Sequence, residues 1–425
     1  AVTLDITSQD SIKNAAKSVA AGMMQYYTGY RPGDVAGNLP APYYWWETGA
    51  MFGSLIDYRY FTGDTTYNDW TMAAMMHQVG PDAVFMPANQ TKTLGNDDQA
   101  FWAMAALSAA ETRFPNPPSG QPQWLAVVQA VFNLQAARWD TTTCGGGLKW
   151  QIFAFNSGYN YKNTISNGCF FNIGARLAAY TGNSSYADLA ERTWDWSQRI
   201  GLFDANYNFY DGSDDNINCT ELDHLQWTYN AGTFLVGAAN MYNFTNGSAI
   251  WEQRIRGIIG NLHVFLDANN VMFEVACEPY GTCNVDQRSF KAYLARWMAA
   301  TIVRAHFTRP LLKPILEASA RAAVGTCTGG SDGQQCGLSW NRTFDGQVGV
   351  GEQMSVLEVV QSNLIDYVEG PATEENGISK GNPGAGTGEP VGPGDLNKNP
   401  ITTGDRIAAG VITVVIIVLV IGTVL

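Results

Sequence analysis

Asp97 and Asp98 stand side by side in Leu94-Gly95-Asn96-Asp97-Asp98-Gln99-Ala100-Phe101-Trp102, where a helical run begins. One Asp there is accounted for as a cap that favours the positive helix end. A second, adjacent carboxylate must be accommodated against like-charge repulsion. In an extended entry to the helix neighbouring side chains diverge, placing the carboxyls roughly 5 to 6 Å apart, the separation used in double-displacement glycoside hydrolysis. One carboxylate then attacks the anomeric carbon. The other protonates the leaving oxygen and later deprotonates the incoming alcohol. Repulsion helps by keeping one Asp protonated while the other is ionised. Terpene cyclases also use Asp pairs, to hold magnesium, but here the position three after Asp98 is Phe101 and not Asp. The superficially similar Asp214-Asp215 lies in a Gly/Ser/Asn loop and reads as solvated. His77, His224, His263 and His306 show no metal spacing, and no C-x-x-C occurs, so neither a metal nor another cofactor is expected. Gly145 to Gly147 read as a turn, because no Lys-Ser/Thr follows to make a phosphate cradle.

The elements that must position this pair are helices. Apolar and small residues recur at helical spacing in Ile12 to Tyr27 and Gln99 to Glu111. Helix starts are expected near residues 9, 44, 65, 97, 121, 163, 184, 227, 248, 286, 309 and 350. Tyr60-Phe61-Thr62-Gly63-Asp64-Thr65-Thr66-Tyr67 and Tyr180-Thr181-Gly182-Asn183-Ser184-Ser185-Tyr186 each close one helix and open the next, and Asn243-Phe244-Thr245-Asn246-Gly247-Ser248 is a looser third copy. Their spacing fits a unit of roughly 60 residues, one helical hairpin. About six such hairpins predict an all-α fold, an (α/α)6 barrel with the inner helices lining a pocket. An open solenoid has the same periodicity.

The chain carries 25 basic and 38 acidic residues, a net charge of −13, which repels phosphate backbones and excludes nucleic acid as a natural partner. Six N-x-S/T sequons, at Asn89, Asn183, Asn218, Asn243, Asn246 and Asn341, indicate a secreted glycoprotein. Cys277 with Cys283 and Cys327 with Cys336 flank short loops and read as local disulfides of an oxidising compartment. No signal peptide is visible from Ala1, so it is taken as already removed. The expected organisation is a catalytic domain over 1–368, a Gly/Pro-rich linker over 369–400 and an apolar tail over 401–425. Linker, small residue, short spacer and terminal apolar run together make a GPI-attachment signal, with Asn397 the expected attachment residue and Gly394 or Asp395 the alternatives. That places the protein on the outer leaflet of the plasma membrane.

Several segments together carry a family resemblance. They are Gly95-Asn96-Asp97-Asp98-Gln99, Tyr43-Tyr44-Trp45-Trp46-Glu47, Cys144-Gly145-Gly146-Gly147-Leu148-Lys149-Trp150-Gln151, Tyr161-Lys162-Asn163-Thr164-Ile165-Ser166-Asn167-Gly168 and Gln226-Trp227-Thr228-Tyr229-Asn230. From about residue 4 to 366 the chain resembles glycoside hydrolase family 76, the α-1,6-mannanases, and within it the fungal GPI-anchored wall proteins of the defective-in-filamentous-growth and defective-cell-wall type. The resemblance implies an (α/α)6 barrel and a retaining mechanism, with Asp97 as nucleophile and Asp98 as acid/base. It also implies that Cys144 pairs with Cys219, leaving Cys169 as a free thiol. Trp45 and Trp46 are candidates to stack on a sugar. Asn96, Asn163, Asn167, Gln226, Tyr229 and Asn230 are candidates to bond hydroxyls, although Asn163 equally suits a helix cap. The implied reaction cleaves the mannose-containing core glycan of other GPI-anchored proteins and passes it to wall β-glucan. An endo-α-1,6-mannanase acting on α-1,6-mannose-containing glycans, or a non-catalytic glycan-binding wall protein, are the alternatives.

Overall fold

The computed structural model describes residues 1–388. Asn397 and the apolar tail lie outside the described residues. Twelve α-helices dominate the described chain: α1 (Gln9–Met24), α2 (Trp45–Thr62), α3 (Asn68–Gln78), α4 (Asn96–Glu111), α5 (Trp124–Ala137), α6 (Thr164–Thr181), α7 (Ser184–Ile200), α8 (Thr228–Phe244), α9 (Ala249–Asn261), α10 (Phe290–Arg304), α11 (Arg309–Gly325) and α12 (Val350–Gln361). Each starts within four residues of the position expected from periodicity. The three repeated segments are the α2–α3, α6–α7 and α8–α9 junctions. Gly63 and Gly182 end their helices at φ 77° and 71°, and Asn183 then caps α7 by accepting from Ser185 N.

Contacts run α2–α4–α6–α8–α10–α12 and back to α2, which closes an inner ring; α1, α3, α5, α7, α9 and α11 pack around it. This is the (α/α)6 barrel and not the open solenoid. The inner helices are buried on all sides, as their lack of a polar face requires: in α4 every residue except Asp98 is buried. Small residues permit the close approach. A Cβ on Gly49 of α2 would lie 2.7 Å from the Trp102 ring of α4. The outer α7, by contrast, turns Trp194 and Trp196 inward and Glu191, Arg192 and Asp195 outward.

Arg296 of α10 seals the ring. Its guanidinium reaches Asp57 Oδ2 of α2 at 2.8 Å and Glu358 Oε1 of α12 at 2.6 Å, and bonds Ser54 Oγ of α2 at 2.8 Å. Three disulfides, Cys144–Cys219, Cys277–Cys283 and Cys327–Cys336, match the expected pairing, and Cys169 is free and buried in α6. All six sequon asparagines are exposed.

The expected domain boundary at 368 needs correction. Residues up to Thr387 belong to the same compact unit as the barrel. Ala372 N donates to Glu111 O at 2.7 Å and Glu374 N to Tyr180 O at 2.8 Å. Ser379 Oγ accepts from Leu125 N, and Asn133 Nδ2 donates to the carbonyls of Pro383 and Ala385. Few side chains are buried in this strap; the backbone does most of the bonding, so composition gave no sign of it. Among the described residues no helix is long and apolar enough to cross a membrane.

Candidate active site

The N-terminal ends of the inner helices converge on one cavity of about 300 Å³. Helix α4 contributes Asp97, Asp98 and Phe101; α2 contributes Trp46; and α8 contributes its cap Trp227 and Tyr229. A short antiparallel ribbon, β1 (Tyr161–Asn163) paired with β2 (Gly212–Asp214), sets Tyr161, Asn163 and the preceding Asp211 on another wall. The approach to α10 supplies Asp286, Gln287 and Phe290. Backbone bonds lock these pieces together: Asn96 N donates to Trp150 O at 2.8 Å, and Trp150 N to Tyr161 O at 2.6 Å.

Asp97 and Asp98 occupy the first turn of α4, inside the helix and not in an extended entry, which ends at the cap Gly95. Successive helical side chains diverge by about 100°. Asp98 accepts from Gly95 N at 2.7 Å through Oδ2, which satisfies the N-cap amide with no reciprocal bond, since glycine has no side chain. The capping role and the cavity position therefore coexist in one residue. Asp97 is buried; its Oδ2 accepts from Asn163 Nδ2 at 3.4 Å and its Oδ1 from Asp98 N at 3.0 Å. Asn163 takes the capping role weighed for it, its Oδ1 accepting from Ser166 N at the start of α6, while its Nδ2 serves Asp97.

Burial first, then the neighbouring Asp98, holds the Asp97 carboxyl well above the usual range. Burial also raises Asp98 to about 6, assisted by the charge of Asp286 and opposed by the Gly95 N–H. Asp211 and Asp286 are raised as well, by burial above all, while bonds from Tyr161 and Trp46 work against it. Four carboxyls thus face the cavity and no Lys or Arg lines it. Such a site retains a proton among Asp97 and Asp98 where solvated aspartates would both be ionised, as the two-carboxylate mechanism needs.

The cavity walls are aromatic. Tyr229 stacks on Phe290 with centroids 3.8 Å apart, and Trp46 donates Nε1–H to Asp286 Oδ1 at 3.1 Å. Of the residues expected to touch sugar, Trp46, Asn163 and Tyr229 line this cavity. Trp45 does not: it stacks on Trp102, donates to Gln78 Oε1 at 2.7 Å and lines a neighbouring hollow instead. Asn96 is consumed by Lys149 O and Arg138, and Asn167 by the Leu148 backbone and Asn163 O. Both amides hold the loops that carry the site. Asn230 is fully buried in α8, and neither it nor half-buried Gln226 lines the cavity. Asp214 is exposed as expected, but Asp215 is buried and paired with Lys149, because the Cys144 loop folds over it and Thr143 Oγ1 donates to its carboxylate at 3.1 Å.

Sequence reasoning passed over Asp211, Asp286, Phe290, Trp150 and Tyr161 as site residues. Trp150 and Tyr161 sit inside recognised motifs and could have been found there. Asp211 and Asp286 are isolated acids in loops and carry no local signal.

The model of glycosyl hydrolase family 76 matches residues 11–375. The mannan endo-1,6-alpha-mannosidase DCW1 of Saccharomyces cerevisiae is 48% identical over 419 residues, covering 98% of this chain and 93% of that protein. The mannan endo-1,6-alpha-mannosidase DFG5 of the same yeast is 44% identical over 421 residues, covering 98% and 92%. Among solved structures, Dfg5 from Chaetomium thermophilum in complex with glucosamine is 46% identical with a TM-score of 0.86, covering 90% of this chain and 97% of that one. An inactive variant of the alpha-1,6-mannanase GH76A of Salegentibacter, carrying two consecutive Asp-to-Asn changes and bound to alpha-1,6-mannotriose, shares the fold at 17% identity and a TM-score of 0.66, covering 83% and 99%.

Proposed function

The chain belongs to glycosyl hydrolase family 76, whose members include its mannan endo-1,6-alpha-mannosidase relatives, and from that premise we propose a retaining glycosidase of α-mannosyl linkages that works chiefly by transfer. The observation that carries the chemistry is the Asp97–Asp98 pair in an aromatic, cation-free cavity, with both carboxyls raised. Asp97 attacks C1 of the mannosyl unit, and the C1–O bond breaks as Asp98 gives its proton to the departing oxygen. The product is a mannosyl ester on Asp97. An incoming hydroxyl then yields its proton to Asp98 and attacks C1, and the ester bond breaks to free Asp97. Trp46, Trp227 and Tyr229 offer apolar surface to the pyranose rings, and Asn163 steadies Asp97.

The donor in this reading is the mannose-containing core glycan of other GPI-anchored proteins, which carries an unacetylated, cationic glucosamine. The four carboxyls suit a cation near the site, and the C. thermophilum relative binds glucosamine. The acceptor is wall β-glucan. The protein itself is held to the outer leaflet by a lipid at or near Asn397, which keeps it beside its donors. Incubation of the purified enzyme with a labelled GPI-core glycan, with and without a β-1,3-gluco-oligosaccharide, tests this. A chimeric glycan is expected. Only free reducing sugar at every acceptor concentration would leave a simple endo-α-1,6-mannanase.

A pH profile adds a signed prediction. The first step needs one proton on the pair, carried by Asp98 with Asp97 ionised; the pair loses its first proton near 6 and holds its last well above the usual range, so the acid limb of kcat/KM is expected near pH 6. Asp286 raises Asp98 by its charge. Asp286→Asn keeps an acceptor for Trp46 but removes that charge, so the acid limb moves to lower pH. An unmoved or alkaline-shifted limb would show that Asp286 does not act on the acid.

A further inference from the structure

The strap over residues 369–387 is held mainly by its backbone, and of its side chains only Ala372 and Ser379 are buried. Such a segment opens locally at little cost unless something covers it. Two hollows run along its edges. The larger, of about 450 Å³, lies at the end of the barrel opposite the catalytic cavity: Phe290 at the start of α10 lines the cavity, and Arg304 at its end lines the hollow. Gly370 and Pro371 of the strap form one wall. The smaller, of about 130 Å³, lies between Gln129 of α5, Tyr186 of α7 and Glu374, Gly381 and Pro383 of the strap.

Each hollow has a sequon asparagine in its wall. Asn243, in Asn243-Phe244-Thr245, lines the larger one, and Asn183, in Asn183-Ser184-Ser185, the smaller. Both are exposed, so a sugar on Nδ2 has room to leave the surface. Asn183 caps α7 with its Oδ1, which accepts from Ser185 N at 2.9 Å, and this leaves Nδ2 for a sugar. The three disulfides belong to the oxidising compartment in which such sequons are modified.

The larger hollow has the chemistry of a seat for N-acetylglucosamine. Ile302, Val303, Ile365, Val368 and Pro371 offer apolar surface to a pyranose face and an acetamido methyl. Arg304 is buried, and its Nη2 has no hydrogen-bond partner among the described residues, with Glu111 Oε1 standing 3.6 Å away. A buried donor left without an acceptor is costly, and an acetamido carbonyl or a sugar hydroxyl supplies one. The volume falls within the roughly 300 to 1,000 Å³ of sites that take small organic ligands. A sugar joined to Asn243 is tethered at the wall, so weak contacts are reinforced by a high effective concentration.

We propose that the N-glycan on Asn243 seats its first N-acetylglucosamine in this hollow and, with the glycan on Asn183 at the other edge, clamps the strap to the barrel. The modifying step joins sugar C1 to Asn243 Nδ2 as the C1–O bond to a lipid-linked diphosphate breaks, and the proton lost by Nδ2 goes with the departing diphosphate. The clamp fixes the place beside α5, at Asn133, from which the chain leaves the barrel.

The test uses the full chain secreted from a eukaryotic host, read by glycopeptide mapping and by amide hydrogen exchange. Asn243 is expected to be occupied. Asn243→Gln and Thr245→Ala both remove this glycan, the second with Asn243 kept in place. Each is expected to speed exchange at the Ala372 and Glu374 amides about tenfold, with the inner-helix amides unchanged. Asn341→Gln, at a sequon that lines neither hollow, leaves the strap as it was. Trimming the folded wild type to one N-acetylglucosamine per site keeps the protection, because the seated sugar remains. Stripping every sugar from the folded wild type with an amidase gives the same readout where a variant is not secreted. An unoccupied Asn243, strap exchange indifferent to loss of its glycan, or protection lost when only the first sugar remains would overturn the proposal.

Discussion

Asp97→Asn and Asp98→Asn each lower turnover of α-1,6-mannotriose by about 10³-fold or more, with little change in thermal midpoint. General acid–base help alone is typically worth about 10² to 10⁴ in rate, and loss of the nucleophile removes the covalent route altogether. The two variants separate when the leaving group changes. Fluoride leaves without a proton, so Asp98→Asn retains rapid first-step release from α-mannosyl fluoride and stalls at the ester. Asp97→Asn fails with either donor. Stability is spared for an electrostatic reason. Burial raises both carboxyls, so their contribution to stability is present below the ordinary Asp pKa and is lost as pH rises through the folded value. Near neutrality an uncharged Asn costs nothing on this account, and at position 98 its Oδ1 can still accept from Gly95 N. A variant that retained more than a tenth of wild-type turnover on mannotriose would remove that residue from the chemistry.

Arg296→Ala has the largest expected effect on stability, about 3 to 5 kcal/mol at pH 7, the usual consequence of breaking a buried ion pair from one side. Its charge is disfavoured by burial and sustained by Glu358 and Asp57. Glu358 is fully buried, and Asp57, already pushed to about 8 by burial and then by Glu358, loses the cation that opposed the rise. The Asp57 carboxyl in the variant would then be raised further. Raised groups support the fold below their unfolded pKa and cease to do so as pH rises through the folded value. The deficit relative to wild type therefore grows from pH 7 to pH 9, as pH rises through the wild-type Asp57 value of about 8. Urea unfolding at the two pH values measures it. Because the guanidinium joins α10 to α2 and α12, the damage falls on ring closure. A loss below about 1 kcal/mol, or one that shrinks toward pH 9, would show that the pairing is not what holds these helices together.

The sequence carried the helices more fully than their arrangement. Apolar spacing and the Gly-plus-cap junctions mark every helix, because a buried inner helix and an amphipathic outer one both leave a local record. Ring closure left none. It is a contact between α2 and α12, about 300 residues apart, which periodicity cannot register; family resemblance alone pointed to it. The Asp pair was legible because two adjacent carboxylates exceed what a cap needs. Asp211 and Asp286 were not, since each becomes a site residue only when its loop folds onto the mouth of the barrel. The amides misled for a related reason. Asn96 and Asn167 lie in the right motifs but spend their bonds on loop backbones, and nothing in an asparagine's identity distinguishes holding a loop from holding a sugar. The strap after residue 368 was misread because its Gly and Pro content rules out a core of its own, yet backbone bonding to α5 and to the ends of α4 and α6 requires none.

The central claim is a covalent mannosyl ester on Asp97 formed with proton transfer by Asp98. A fluorinated mannosyl fluoride that forms this ester readily but hydrolyses slowly can trap it, and peptide mapping by mass spectrometry then locates the sugar. The account predicts one fluoromannosyl mass on the peptide containing Asp97, placed on Asp97 by fragmentation, present in Asp98→Asn and absent in Asp97→Asn. A sugar on Asp98, Asp211 or Asp286, or an unlabelled protein that turns over mannotriose with inverted anomeric configuration, would contradict it.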